Sequence, residues 1–419
     1  MKTTTILKQV ILLWALCFGI GINAQDVYIA GYDNAGSSED VAQIWDGDGA
    51  EHQLTDGNYR AGALDIFVYE GDEYVAGYEE NGSRYVAKLW KNGNEQILTD
   101  GSDFAGASSV FVSDGDVYVA GHEFIGEYYV AIVWKNGIAQ NLTDGSTEGI
   151  AYSVFVSGSD VYVAGHEGYE TNVAMLWKNG TPQALSDGST DAVARSVFVS
   201  GSDVYVAGYE DNGTHDIAKL WKNGNAQNLT DGSSTAKANS VFVNNGDVYV
   251  AGYDGDDPKL WKNGVPEPLS INSAFDGAEA KSVYVTGNDV YVAGTSTATN
   301  GNDECTFATL WKNGTIVVTS FACPENNAMN SVFVDDGQLG TENLENPKNL
   351  FSLYPNPVED VLHIQMQEPT KLQLYSLQGR LLKEIEGGGQ DIQLDMSGLA
   401  SGVYFLNNKN GDSRKVVKE

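Results

Sequence analysis

Six ring–acid pairs recur along the chain: Tyr32–Asp33, Tyr78–Glu79, His122–Glu123, His166–Glu167, Tyr209–Glu210 and Tyr253–Asp254. An aromatic face beside a carboxylate suits sugar recognition. The ring stacks on C–H groups and the carboxylate accepts from hydroxyls. The competing role is structural, with each ring packed inside the protein and each acid solvated. A second set, Asp56, Asp100, Asp144, Asp187 and Asp231, sits in LTDG or LSDG words. With the acids nearby, these oxygens could hold Ca²⁺, although no EF-hand spacing is present. The simpler expectation is that each Asp caps its own turn through backbone N–H groups.

The chain carries no GxSxG, no HExxH, no phosphate loop and no cysteine cluster with metal spacing. Catalysis needs an acid, a base and an oriented substrate, hence different residues at one place. Here the same words return almost unchanged. Repetition favours linked binding sites over a single reaction centre. The pattern breaks at LSINSAFDG (269–277) and VVTSFACPENN (317–327), so a unique site is expected there.

The elements that hold these residues follow from a repeat of about 44 residues. A VYVAG-type glycine falls at Gly31, Gly77, Gly121, Gly165, Gly208, Gly252 and Gly294, and tryptophan keeps step at Trp45, Trp90, Trp134, Trp177, Trp221, Trp261 and Trp311. A third word, DIFV at 65 and SVFV or SVYV at 109, 153, 196, 240, 282 and 331, also occurs seven times. Each unit reads as four strands: a (SVFV), b (DVYVAG), c (AKLW) and d (the segment before LTDG). Asp-Gly and Asn-Gly pairs join a to b and c to d as tight hairpins. Strands apolar on both faces fit sheets covered on both sides.

Four-stranded units of this length describe the blades of a β-propeller. A solenoid would need polar caps, and none is visible. The chain starts on a strand b (DVYIAG, 26–31) and its last repeat stops after a strand a (SVFV, 331–334). The two ends are therefore expected to pair and complete one shared blade, giving an all-β, seven-bladed ring with no open edge. Kelch-type and WD-repeat propellers have this architecture, but their signatures are absent, so no function is carried over. The ring–acid pairs open the b–c loops, which vary and share one face with the d–a loops.

A different segment follows, with LYPNPVEDVLHIQ (353–365), LQLYSLQGRLLKE (372–384), IQLDMSGLASGVYFL (392–406) and a basic end, SRKVVKE. Alternating strands with Gly and Asn turns predict a small β-sandwich. These four pieces, in order and spacing, resemble the C-terminal sorting domain of type IX secretion cargo from Bacteroidetes. The resemblance implies export by the type IX machinery, removal of the domain, and release or attachment to surface lipopolysaccharide. Residues 1–24 read as an export signal, with Lys2, Lys8, an apolar run and Ala24 before the cleavage point. Expected boundaries are 1–24 signal, 25–337 propeller, 338–350 linker and 351–419 sorting domain.

The net charge is −33, and residues 351–419, with seven Lys or Arg against nine Asp or Glu, carry only −2 of it. Such an acidic propeller repels phosphate backbones, so nucleic acid is not an expected partner. No segment after the signal approaches membrane-spanning length. Cys305 and Cys323 flank a predicted hairpin and are expected to form a disulfide in an exported protein.

The expectation is a secreted or surface-held module, exported through the periplasm. It would recognise glycans or surface proteins on the b–c/d–a face, with no cofactor required and Ca²⁺ as an option. The alternative is a polysaccharide-active enzyme with its site in blades six and seven.

Overall fold

The computed structural model describes residues 26–33, 39–46, 51–300, 303–319 and 328–335, and, further on, 351–354, 358, 360–366, 371–376, 381–386, 391–400, 402–408 and 413–418. Residues 1–24, expected to be a signal, residues 338–350, expected to be a linker, and Cys323 lie outside the described residues. The chain divides into two compact units, Met1–Thr341 and Glu342–Glu419. Every regular element among the described residues is a strand.

The first unit is seven four-stranded antiparallel sheets. Blade 5 is typical, with strand a at Ala192–Ser200, b at Asp203–Asp211, c at Asp216–Lys222 and d at Asn225–Asn228. Blades 2, 3, 4, 6 and 7 repeat this order, and strand a of each packs against strand a of the next around the full circle. Blade 1 takes strand a from one end of the unit, Ala328–Asp335, and b, c and d from the other, Asp26–Asp33, Val41–Asp46 and Glu51–Gln53. Val27 pairs with Val334 and Ile29 with Val332, so the shared blade closes the ring.

Burial explains the repeated words. Seven apolar clusters lie between successive blades, and Trp90, Trp134, Trp177, Trp221, Trp261 and Trp311 are essentially fully buried. The tryptophans are therefore inter-blade core. In the c–d turn of blade 3, Asn136 (φ 51°) and Gly137 (φ 79°) take the left-handed conformations that an Asn-Gly hairpin needs. The same Asn136 reaches back to strand b. Its side chain accepts from the Val117 N–H at 2.8 Å and donates to Asp116 at 2.7 Å, while Lys135 pairs with Asp116 at 2.6 Å. Blades 2, 4, 5, 6 and 7 repeat this clamp. The WKNG and DVYV words thus hold each other.

The second unit has a three-stranded sheet, with Val361–Met366 between Phe351–Tyr354 and Asp391–Asp395. Its four-stranded sheet contains Leu381–Glu386, Lys371–Ser376, Gly402–Asn408 and Ser413–Lys418. Leu362 and Ile364 of the first sheet share one core with Leu372, Leu374, Leu406 and Val416 of the second, which makes a β-sandwich.

Candidate functional site: the channel mouth

Strand a is longer than the SVFV word. In blade 5 it starts four residues earlier, at Ala192. Its pairing with strand b skips one residue, so Ala194 faces Gly208 and Ser196 faces Ala207, leaving Arg195 as a bulge. Every blade has this bulge. The skipped residues are Leu64, Ser108, Tyr152, Arg195, Asn239, Lys281 and Asn330. A bulge re-aims one side chain and bends its strand. All seven remain half-buried while the alanine or methionine before each is buried, as channel-lining residues would be.

The bulge also explains the repeated glycine. It drives a strand-a carbonyl towards strand b, and a Cβ on Gly208 would sit 2.0 Å from the Val193 oxygen. The other six glycines meet the equivalent oxygen at 1.9–2.1 Å. The glycine does not end strand b, as the sequence reading assumed. In blade 5 the strand continues to Asp211, which places Tyr209 and Glu210 on the strand and not in a loop.

Two rings lie below the bulges, towards the a–b turns. In the first, the Ser109 hydroxyl accepts the Val154 N–H of the next blade at 3.3 Å, and Ser153, Ser196, Ser240 and Ser282 do the same at 3.1–3.2 Å. Asp65 takes this place in blade 2. It accepts from Val110 N–H at 3.0 Å and from Ser331 at 2.7 Å, and burial pushes its carboxyl up against these hydrogen bonds. In the second, Phe67, Phe111, Phe155, Phe198, Phe242, Tyr284 and Phe333 touch in an unbroken circle, with centroids 4.7–5.0 Å apart.

At the bulge level the symmetry ends. Blades 2 and 3 carry Leu64 and Ser108 beside Gly62 and Gly106. The other side is polar and cationic. Arg195 lies between two rings, 5.4 Å from the Tyr152 centroid and 5.7 Å from that of Tyr209. Its Nε is buried without a hydrogen-bond partner. Lys237 lies 4.2 Å over Tyr209 and 3.3 Å from Asp216. Asn239 donates to Glu279 and to the Ala280 carbonyl, both at 3.0 Å, and Lys281 donates to Asn330 at 3.1 Å. Burial depresses the Lys281 ammonium; Glu279 opposes this and Arg195 adds to it. Burial pushes the Tyr152 phenol up to about 12, with Arg195 pulling the other way.

The sequence candidates distribute around this mouth. Tyr209 belongs to it directly, His166 lies 5.6 Å from Tyr152, and Tyr253 feels the charges of Lys237 and Arg195. Burial holds His122 and His166 near pKa 4, and neither Nδ1 has a partner. His122 packs at 5.0 Å against Tyr129, and Tyr78 against Tyr85 at the same distance. Tyr32 sits half-buried beside Asp40 and Arg60, and Asp33 is buried. Most rings therefore pack between strands. Among the acids, Glu79 pairs with Lys88, Glu210 with Lys219, and Asp254 accepts from Ser234. Burial raises Glu123 and Glu167, with Asp100 and Asp144 respectively adding to it.

The five corner aspartates make local turns. Asp56, Asp100, Asp144, Asp187 and Asp231 each accept the N–H two residues on, at 2.9–3.0 Å. Asp56 and Asp100 border an open groove of about 600 Å³ with Glu79 and Lys88, where Lys88 already pairs with Glu79 and Glu95. Among the described residues no three His, Cys, Asp or Glu side chains gather as a metal site. Cys305 is buried and disulfide-bonded.

Residues 352–419 match the family model described as the secretion system C-terminal sorting domain. The second unit is a type IX sorting domain. It directs export by that system to the cell surface or beyond, which implies contact with the secretion machinery. No helix among the described residues is long and apolar enough to cross a membrane.

No curated protein sequence matches the chain. Similar solved structures include PorZ, a surface component of the type IX system of Porphyromonas gingivalis, at 15% identity and TM-score 0.40, covering 91% of this chain and 63% of that one. TolB of Acinetobacter baumannii is 14% identical, with TM-score 0.39 and coverage of 58% and 62%. A prolyl endopeptidase is 12% identical, with TM-score 0.45 and coverage of 83% and 55%. The chain thus spans 55–63% of these solved chains.

The sequence reading missed the bulge ring. Its signal was present: the residue before each SVFV-type word differs in nearly every repeat.

Proposed function

We propose that the propeller is a non-enzymatic glycan-binding module, delivered outside the cell by its sorting domain, that takes its ligand at the channel mouth on the b–c/d–a face. One observation carries this reading. Seven equivalent bulges bring largely different side chains to one level of the ring, and both cationic ones, Arg195 and Lys281, fall within three consecutive blades. Ligand sites are concave places where a few polar groups converge among rings and apolar walls. Tyr152 and Tyr209 bring aromatic rings, and Asn239, Asn330 and Glu279 bring a hydrogen-bonded polar cluster whose remaining lone pairs and edges a sugar could meet.

The test is a glycan array probed with the full chain, with Ca²⁺ and again with chelator. Binding to a defined sugar class, lost in Tyr152→Ala and in Tyr209→Ala, is the expected result. Binding unchanged by both substitutions would remove the channel mouth as the site. Loss with chelator would move attention to the aspartate corners, and a blank array would point to a protein ligand.

A further inference from the structure

We propose that the ligand carries an oxyanion, a carboxylate or a sulfate on a glycan, seated between Arg195 and Lys281 with Lys237 at its flank. This rests on the channel-mouth reading and names the chemistry of what enters. The carrying fact is a charge imbalance. The chain has 57 Asp and Glu against 24 Lys and Arg, so a cation finds an acid readily. Lys91, Lys135, Lys178, Lys219, Lys222 and Lys312 each pair with one. Arg195 and Lys281 have no carboxylate within ion-pair distance among the described residues. They occupy equivalent bulges on strands a of blades 5 and 7, with only the Asn239 bulge of blade 6 between them.

Two neighbouring, partly desolvated cations repel each other, and the ring–ring sandwich around Arg195 fixes its plane while leaving the buried Nε unpartnered. With the Nε enclosed, the terminal Nη pair is what such a guanidinium can turn to an oxyanion, one N–H from each nitrogen giving two parallel bonds to a carboxylate or sulfate. The Lys281 ammonium would supply a second cation. Asp216 pairs with Lys237, and Glu279 acts on Lys281 without an ion pair, so Arg195 and Lys281 are the cations left for an anion to pair with. On the opposite wall Leu64 and Ser108 carry no charge, which leaves that side to the uncharged part of the sugar.

The test uses the full chain and four probes: an oligogalacturonate, a sulfated oligosaccharide, a neutral oligosaccharide of equal length and sodium sulfate. Affinity is read by calorimetry and Tm by thermal shift. The expected result is that one acidic oligosaccharide binds and raises Tm. Arg195→Gln and Lys281→Gln each weaken it on the order of 10- to 100-fold. Lys281→Met is expected to keep or raise the Tm of the free protein, because it removes a repulsive buried cation; a purely structural role predicts a fall. Carboxylate and sulfate are told apart by which acidic probe binds.

Neutral binding as tight as acidic binding, or acidic binding that survives both charge substitutions, overturns the anion inference. So does the failure of both acidic oligosaccharides to bind, whether or not sodium sulfate does. If a neutral probe then binds and Tyr152→Ala abolishes it, the channel-mouth reading stands alone. If a bound probe ignores Tyr152→Ala as well, both fail.

Discussion

Blades 2 and 3 bring Leu64 and Ser108 to the channel where blades 5, 6 and 7 bring Arg195, Asn239 and Lys281. The backbone is the same on both sides. Each blade has the bulge, the glycine beneath it and an aromatic ring below. What differs most is one position per repeat, which lies outside the inter-blade apolar clusters and the serine ring, and from which Asn239 and Lys281 reach the next blade. A repeated fold fixes its core and its turns, and specificity is left to positions that the packing does not constrain.

The largest expected effect tests whether the two sides share their scaffold. A Cβ on Gly77 in blade 2 would stand 2.0 Å from the Gly62 oxygen, and one on Gly252 in blade 6 would stand 1.9 Å from the Lys237 oxygen. Neither oxygen can yield without undoing the bulge. Gly77→Ala and Gly252→Ala should therefore each destabilise the propeller by at least ~3 kcal/mol, and by similar amounts. Thermal or denaturant unfolding measures this. A loss in one blade and none in the other would show that the bulges are not equivalent, and the comparison would break.

The fold was legible because its chemistry is local and repeated. Asn-Gly and Asp-Gly turns, two-sided apolar strands and a phase shift between the chain's ends were enough to predict seven blades with a shared closure. The site was less legible for the same reason. Repeated words attract attention, yet WKNG, DVYV and LTDG prove to be clamps and turns. LTDG is structural almost residue by residue: the Leu142 N–H donates to the Ala131 carbonyl at 2.7 Å, the Thr143 hydroxyl accepts the Ala131 N–H at 3.1 Å, and Asp144 makes its own turn. The bulge was hidden because alternation along SVFV says nothing of the residue before it. A strand read without that bulge ends at the glycine, and the ring–acid pairs then fall one element too far out.

A middle-sized effect comes from the next level of rings. Blades 3 and 4 place His122 and His166 where blades 2 and 5 place Tyr78 and Tyr209. Burial holds both imidazoles near pKa 4, below the ordinary value of 6.5. The unfolded chain then takes up protons first as pH falls, so stability is full above pH 6.5 and is lost on the way down to pH 4. Glu123 and Glu167 are raised by burial and act in the opposite sense near the lower end. For the fully enclosed His166 the loss should be on the order of 2–3 kcal/mol. The Tm of His166→Gln should fall less than that of the wild-type protein between pH 6.5 and 4. Equal slopes would mean that His166 is not held neutral by its surroundings, and this difference between blades would lose its chemical meaning.

The smallest effect concerns the corners, which are alike on both sides of the ring. Asp144 is exposed, and its carboxylate accepts the Ser146 N–H at 2.9 Å. This holds its carboxyl below the usual range, with the Ser146 hydroxyl contributing first. If that turn is its whole role, Asp144→Ala lowers Tm only slightly, and Asp144→Asn, which keeps the accepting oxygen, lowers it less. The same ranking should appear at Asp231, in a blade that lines the cationic side, because the corner does not sense what the bulge carries. Adding Ca²⁺ should leave both rankings in place. A calcium-dependent rise in Tm that Asp144→Asn abolishes would assign the corners a metal, and repeated chemistry would then exist outside the channel after all.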